Sequence, residues 1–261
     1  MKPMTRGWRL CGMTFFAVAM CAWSSGERAA FAQWGHVAGQ FVFDGDVPQL
    51  PLLVKQGDAA VKDAAVCSAG AVPDESLVVN SQNKGIANVF VFLRKADKIH
   101  PDLKASQDKE VRFDQKDCRF LPHALIVRTD QVVVCLSDDG VPHNTHTFPQ
   151  RNTGDNLVIQ PKDRKGIAVR VKVAEATPFD VRCDIHSWMS AKWLVIDHPY
   201  AALTDADGKF KIEKLPIGQH KFRVWHERAG FIEREWAVDV KEGTNTIAPV
   251  KLTAEKLKPK T

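Results

Sequence analysis

From Gln40 to Trp225 the chain returns to one pattern: a short run rich in Val, Phe, Ile and Leu, then a break at Gly, Pro, Asp or Asn. The runs include Gln40-Phe41-Val42-Phe43, Asn88-Val89-Phe90-Val91-Phe92-Leu93, Gln131-Val132-Val133-Val134, Ile167-Ala168-Val169-Arg170-Val171, Lys192-Trp193-Leu194-Val195-Ile196 and Lys221-Phe222-Arg223-Val224-Trp225. β-Branched and aromatic residues in such short segments suit a pleated, half-buried surface, and no long stretch with helical periodicity competes with them. An all-β, sandwich-like architecture is the consequence.

The N-terminus sets the compartment. Lys2, Arg6 and Arg9 precede an apolar run from Leu10 to Trp23, and a small-x-small site, Ala30-Phe31-Ala32, follows. That order is expected of a secretory signal peptide over residues 1–32, cleaved before Gln33. The apolar run is shorter than the roughly 20 residues a membrane-spanning helix needs. No later segment is apolar enough to span, so an exported periplasmic or secreted protein is expected. Cys11 and Cys21 would leave with the leader, as would Lys2, Arg6, Arg9 and Arg28 against Glu27. The net charge of +5 thus shrinks in the mature chain, and no nucleic-acid surface is indicated.

Three regions follow the leader. Residues 33–95 open with Gly-x-Val-x-Gly-x-Phe-x-Phe-Asp-Gly and end on an apolar run; residues 96–198 hold every candidate metal ligand. Residues 199–254 begin with Thr204-Asp205-Ala206-Asp207-Gly208-Lys209-Phe210, then Leu215-Pro216-Ile217-Gly218. Asp207-Gly208 between alternating residues reads as a hairpin turn. The two outer regions resemble the halves of a carboxypeptidase-regulatory, transthyretin-like β-sandwich, which implies that the middle region is inserted into it. Three strand clusters in series is the alternative. The Lys-rich segment 255–261 reads as a disordered basic tail.

The most informative stretch is Cys183-Asp184-Ile185-His186-Ser187-Trp188-Met189, set between two strand-like runs. A thiolate, an imidazole and a thioether on one short loop form a soft ligand set, and a blue-copper site completes it with a second His from elsewhere. Pro142-His143-Asn144-Thr145-His146 supplies that residue after the turn Asp138-Asp139-Gly140. Zinc fits less well, because thioether is a poor zinc ligand. Pro-His-Asn-x-His followed by Cys-x-x-His-x-x-Met resembles the amicyanin-like cupredoxins over residues 120 to 196. Across most of the mature chain the organisation is similar to exported "methylamine utilization"-type cupredoxin-domain proteins. The residues that carry this second likeness are Cys118-Arg119-Phe120-Leu121-Pro122-His123 and Trp225-His226-Glu227.

The resemblance implies a cupredoxin Greek-key β-sandwich and one mononuclear copper ion. His143, Cys183 and His186 would be equatorial ligands and Met189 the axial one. Asn144 would tie the His143 loop to the Cys183 loop, and Trp188 would form an apolar docking surface around an exposed edge of His186. This sequence departs from the family at Asp184-Ile185, which puts a carboxylate beside the thiolate, and at Trp188. The implied activity is single-electron transfer with a redox protein such as a c-type cytochrome or a dehydrogenase. The alternatives are copper storage or delivery, and an envelope interaction module with a vestigial site. An enzyme is not expected, since a closed Cys-His-His-Met set leaves no position for substrate.

In an exported protein Cys67 and Cys118 can form a disulfide; two free thiols, or a second metal site with His123, are the alternatives. Cys135 reads as a buried small hydrophobe. His146 reads as exposed, His123 as part of a turn and His226 as an interface residue. Asp205-x-Asp207-Gly208 lacks the remaining positions of a calcium loop. There is no Cys-x-x-Cys for haem attachment or thiol exchange, and no phosphate-binding Gly-rich loop.

Overall fold

The computed structural model describes residues 34–258 together with residues 1, 3 and 4. The export signal expected over 1–32, with Cys11 and Cys21, lies outside the described residues save for those three positions. In chain order the elements are β1 (Trp34–Asp44), the short helix α1 (Ala64–Cys67), β2 (Phe90–Leu93), β3 (Glu110–Lys116), β4 (Arg119–Leu121), β5 (Ala124–Arg128), β6 (Val132–Cys135), β7 (His143–Thr147), β8 (Asn156–Ile159) and β9 (Ile167–Val169). Then come β10 (Phe179–Arg182), β11 (Ser190–Ile196), β12 (Ala201–Leu203), β13 (Lys209–Pro216), β14 (Gly218–His226), β15 (Gly230–Val240), β16 (Gly243–Thr246) and β17 (Val250–Thr253). The fold is all-β, and the six apolar runs fall on β1, β2, β6, β9, β11 and β14.

Among the described residues the strands form four sheets. β1 pairs antiparallel with β13 and parallel with β16 and β17; β12, β2, β14 and β15 make a second sheet. Phe41, Phe43, Ile212, Leu215, Phe222 and Leu252 fill the core that these two share. The remaining sheets have the orders β5-β11-β10-β7-β8 and β4-β3-β6-β9, around Phe113, Phe120, Val133, Val181 and Trp193.

Strand alternation explains how the two sandwiches meet. Successive side chains on a strand point to opposite faces. In β2, Val91 and Leu93 face the first core while Phe90 and Phe92 face the other way. In β11, Trp193 and Val195 face the second core, while Leu194 and Ile196 pack with Phe90, Phe92 and Ala124 in a third cluster. Both strands are therefore buried on two sides there, which is why Phe90–Leu93 of β2 and residues 193–196 of β11 run apolar at every position.

Between β1 and β2 the chain makes a long excursion, residues 45–89, that carries α1 and the bridge Val54 to Val72. Cys67 at the end of α1 is joined to Cys118 by a disulfide, with Cα atoms 5.2 Å apart. Cys118 sits in the turn between β3 and β4, where Asp117 and Cys118 both take left-handed backbone angles (φ 53° and 50°). That is the conformation that two-residue hairpin loops favour.

Two local expectations need correction. The Asp207-Gly208 turn forms, with Gly208 at φ 75°, but its flanking strands pair in different sheets, β12 with β2 and β13 with β1. It is a corner between sheets and not a hairpin. A Cβ at Gly208 would lie 2.2 Å from the Phe41 carbonyl oxygen, so only glycine fits there. The tail expected to be disordered from Glu255 is instead anchored as far as Lys258. Leu257 is buried at 2 % exposure, and its carbonyl accepts from Arg228 Nε at 3.1 Å.

Candidate metal centre

Sheet order brings the two candidate loops together. Cys183 follows β10 and Ser190 opens β11; Arg182 and Ser190 are paired, so residues 183–189 form a hairpin loop. Met189 N–H donates to the His186 carbonyl at 2.9 Å and Cys183 N–H to the Met189 carbonyl at 3.2 Å, which closes it. On its other side β10 pairs with β7, with Arg182 opposite His146, and the start of β7 thereby lies against the loop. Asn144 bridges the gap. Its Oδ1 accepts the Asp184 N–H at 2.7 Å, and its Nδ2 donates to Asp184 Oδ2 at 2.9 Å.

The result is one compact cluster. Single ligand atoms of His143, Cys183 and His186 all lie within 4.8 Å of one another. His143 Nδ1 is 2.9 Å from His186 Nδ1, and Cys183 Sγ is 3.9 Å from His186 Nδ1. Separations of roughly 3–4 Å are those of neighbouring ligands at about 2.0–2.3 Å from one small ion. Both imidazoles are fully buried and Cys183 is 2 % exposed. Met189, also 2 % exposed, ends the same loop.

Each imidazole presents its far nitrogen to a carboxylate. His143 Nε2 is 2.8 Å from Asp139 Oδ2, and His186 Nε2 is 2.9 Å from Asp63 Oδ2. A carboxylate on Nε2 fixes that nitrogen as the donor and leaves the Nδ1 lone pair for a metal, which is the outer-shell arrangement found around metal-ligating histidines. Two Nδ1 lone pairs and one sulfur then converge, and these residues fit a soft or borderline cation such as copper.

In the metal-free protein the same contacts favour a buried thiolate–imidazolium pair, whose proton on His143 Nδ1 a bound cation would displace. Burial works against the Cys183 thiolate, but hydrogen bonds from His143, His186 and two backbone N–H groups bring its pKa down to about 6. Burial likewise pulls His143 down, yet the Asp139 carboxylate and the Cys183 sulfur hold it at about 9. Asp139, 5 % exposed, lies below the usual carboxylate range despite burial, because it accepts from His143 and from the backbone N–H groups of Cys118 and Asp117.

Asp63 and Asp139 were not among the sequence candidates, and Asp63 changes one expectation. The exposed edge anticipated for His186 does not exist: the ring is fully buried, and Asp63, from the 45–89 excursion, occupies its Nε2. Trp188 accordingly rims no exposed imidazole. Half-buried, it lies 5.2 Å from the His186 ring, centroid to centroid, and its Nε1 donates to the Cys118 carbonyl at 3.2 Å. The Asp184 carboxylate is engaged by Asn144, Asn156 and His146.

The other candidates separate from the centre. The disulfide removes Cys118 from ligation, so no second site forms with His123. His123 lies in the bend before β5, with Nε2 2.5 Å from Glu227 Oε2. His146 is half-exposed and packs against Phe148, ring centroids 4.1 Å apart with the planes tilted by 34°. Cys135 is a buried free thiol that burial pushes up to about 12. His226, 1 % exposed, is held down at about 4 by burial. Among the described residues no helix is long and apolar enough to cross a membrane.

No protein-family model matches the chain, and no curated protein matches it. Solved structures similar to it include the copper-containing nitrite reductase from Thermus scotoductus SA-01, at 14 % identity and TM-score 0.31. That alignment covers 38 % of this chain and 25 % of the reductase, so the chain spans about a quarter of the reductase's length. A mutant of amicyanin in its reduced state aligns at 17 % identity and TM-score 0.30, over 35 % of this chain and 86 % of that one. A purple cupredoxin from Nitrosopumilus maritimus aligns at 15 % identity and TM-score 0.27, over 33 % and 98 %.

Proposed function

We propose that this chain is an exported mononuclear copper protein that carries single electrons between redox partners, with His143, Cys183, His186 and Met189 as ligands. The observation that carries the reading is the convergence of Cys183 Sγ with His143 Nδ1 and His186 Nδ1, each imidazole backed by a carboxylate. Bound there, copper would supply one-electron exchange. The chain's own residues hold the ligand atoms still: Asn144 locks one loop to the other, and Asp139 and Asp63 fix the two rings. Ligands that stay in place between oxidation states keep reorganisation small, which favours electron transfer over chemistry on a substrate.

Cys183, His143 and Asp139 also form a thiol–imidazole–carboxylate series, a nucleophile's arrangement in other settings. Here the three are 2 %, 0 % and 5 % exposed, which leaves a substrate no approach, and we read the chain as no enzyme. A c-type cytochrome or a dehydrogenase in the periplasm is the partner class that suits such a carrier. Burial of His186 favours a second reading, in which the same ligands retain Cu(I) for storage or delivery.

Optical and electron paramagnetic resonance spectra of the copper-loaded, oxidised protein test the proposal beside Cys183→Ser. An intense thiolate-to-copper charge-transfer band that bleaches on reduction, returns on oxidation and is missing from the variant is expected. A wild-type protein without that band refutes the carrier. A protein that stays colourless Cu(I) and yields its metal to an acceptor supports storage instead.

A further inference from the structure

Asp63 takes its place at some backbone cost. It precedes α1, where an Asp side chain ordinarily caps the first turn, yet it makes no capping hydrogen bond and adopts a left-handed backbone (φ 54°, ψ 39°). The carboxylate is directed instead at His186 Nε2, 2.9 Å away and 123 residues later in sequence. The Asp63 carbonyl still accepts from Val66 and Cys67 N–H, both at 2.9 Å, so the turn that aims the carboxylate also places Cys67. From Cys67 the disulfide leads to Cys118, whose N–H donates to Asp139 Oδ2 at 2.9 Å, the oxygen that holds His143. The two carboxylates behind the two imidazoles are thus tied to each other through α1 and one disulfide.

We propose that Asp63 is the positioning residue of His186, and that the disulfide-stapled excursion around it is a fixed cover over the imidazole edge. The inference rests on the copper reading for its meaning and on the contact itself for its geometry. An imidazole held at Nε2 cannot rotate its Nδ1 away from the cluster without breaking the bond to Asp63. With the ring fully buried, water and chelators reach the centre from that side only if the cover opens. The ring also lacks the solvent-facing edge through which an electron would pass directly to a docked partner.

Two substitutions at residue 63 separate the carboxylate from the backbone. Asp63→Gly removes the acceptor and takes the left-handed conformation without strain; Asp63→Asn keeps an acceptor oxygen and tolerates that conformation. Loss of an outer-shell partner typically costs about 10–100-fold in metal affinity. With copper loaded and reduced, a Cu(I) chelator is therefore expected to strip Asp63→Gly at least tenfold faster than wild type, and Asp63→Asn within a few-fold of it. In metal-free, nitrogen-15-labelled protein, the His186 Nε2–H signal should resist solvent exchange in wild type and Asp63→Asn and be lost in Asp63→Gly. Unchanged stripping in Asp63→Gly, or a signal that stays protected there, overturns the proposal. A wild-type protein with no thiolate-to-copper band would fail the copper reading alone, and the metal-free signal would still decide the role of Asp63.

Discussion

Asp139 gives the sharpest test of how the centre is held. Its Oδ1 accepts from Asp117 N–H at 2.7 Å, and its Oδ2 accepts from Cys118 N–H at 2.9 Å and from His143 Nε2 at 2.8 Å. In Asp139→Asn one of those oxygens becomes an NH2 group facing a donor. The less costly orientation turns it toward Asp117, which keeps the Cys118 and His143 bonds but makes them neutral. A buried donor left unpaired costs about 1–3 kcal/mol, and bonds to a charged acceptor exceed neutral ones by roughly 1 kcal/mol each. Denaturant unfolding of the metal-free protein should therefore show a loss of about 3–5 kcal/mol. Copper affinity should fall about 10–100-fold as the His143 ring loosens. Asp138→Asn is the control: it is the neighbouring carboxylate, paired at the surface with Lys116, and both readouts should stay put. If Asp139→Asn is as mild as Asp138→Asn in both measurements, the carboxylate is not what orients His143.

Removing the disulfide with Cys67→Ser and Cys118→Ser together opens a cross-link that spans 51 residues. The chain-entropy relation puts that at about 4 kcal/mol, to be read from denaturant midpoints with and without the substitutions; an unchanged midpoint would refute it. Acid should also weaken the fold through His226, whose pKa burial lowers from 6.5 to about 4. The unfolded chain takes up that proton first as pH falls, so the stability concerned is complete above 6.5 and drains away between 6.5 and 4, by ~3 kcal/mol at most. Unfolding followed across that window should show a shallower acid limb in His226→Gln than in wild type, and parallel limbs would exclude His226 as the cause.

What could be read in the sequence was what short-range chemistry dictates. The apolar stretches Phe90–Leu93 of β2 and residues 193–196 of β11 announce strands because burial on both faces leaves no polar position in them. The Cys183 loop declares itself because its ligand types sit within one hairpin, and Asn144 because it neighbours His143. Asp139 stood in plain view four residues before His143, but an Asp-Asp-Gly turn looks the same whether its carboxylates face water or an imidazole. A carboxylate just ahead of a candidate ligand is the signal that could have singled it out. Asp63 left no such trace, since its contact spans 123 residues and depends on a left-handed turn that no neighbouring residue specifies. The burial of His186 was hidden for the same reason. The Asp207-Gly208 turn shows the converse: turn residues report local backbone angles and say nothing of which sheet the next strand will join.

Whether the cover over His186 is fixed or mobile depends on how firmly the two sandwiches are joined. Phe90, Phe92, Leu194 and Ile196 are buried in the layer between β2 and β11, each at 4 % exposure or less. Burying each fully is worth about 1.5–3 kcal/mol, so separating the layer would expose roughly 6–12 kcal/mol of apolar contact. That is comparable with the whole stability of an ordinary domain, about 5–15 kcal/mol, so hinging of one sandwich on the other is a poor route to the imidazole. Local unfolding of the 45–89 excursion is the remaining route, and it is restrained at Cys67 by the disulfide and at Val54 and Val72 by a strand bridge. A carboxylate contributed from so far away in sequence can therefore act as a permanent partner of His186, because the surfaces that carry the two residues have no inexpensive way to part.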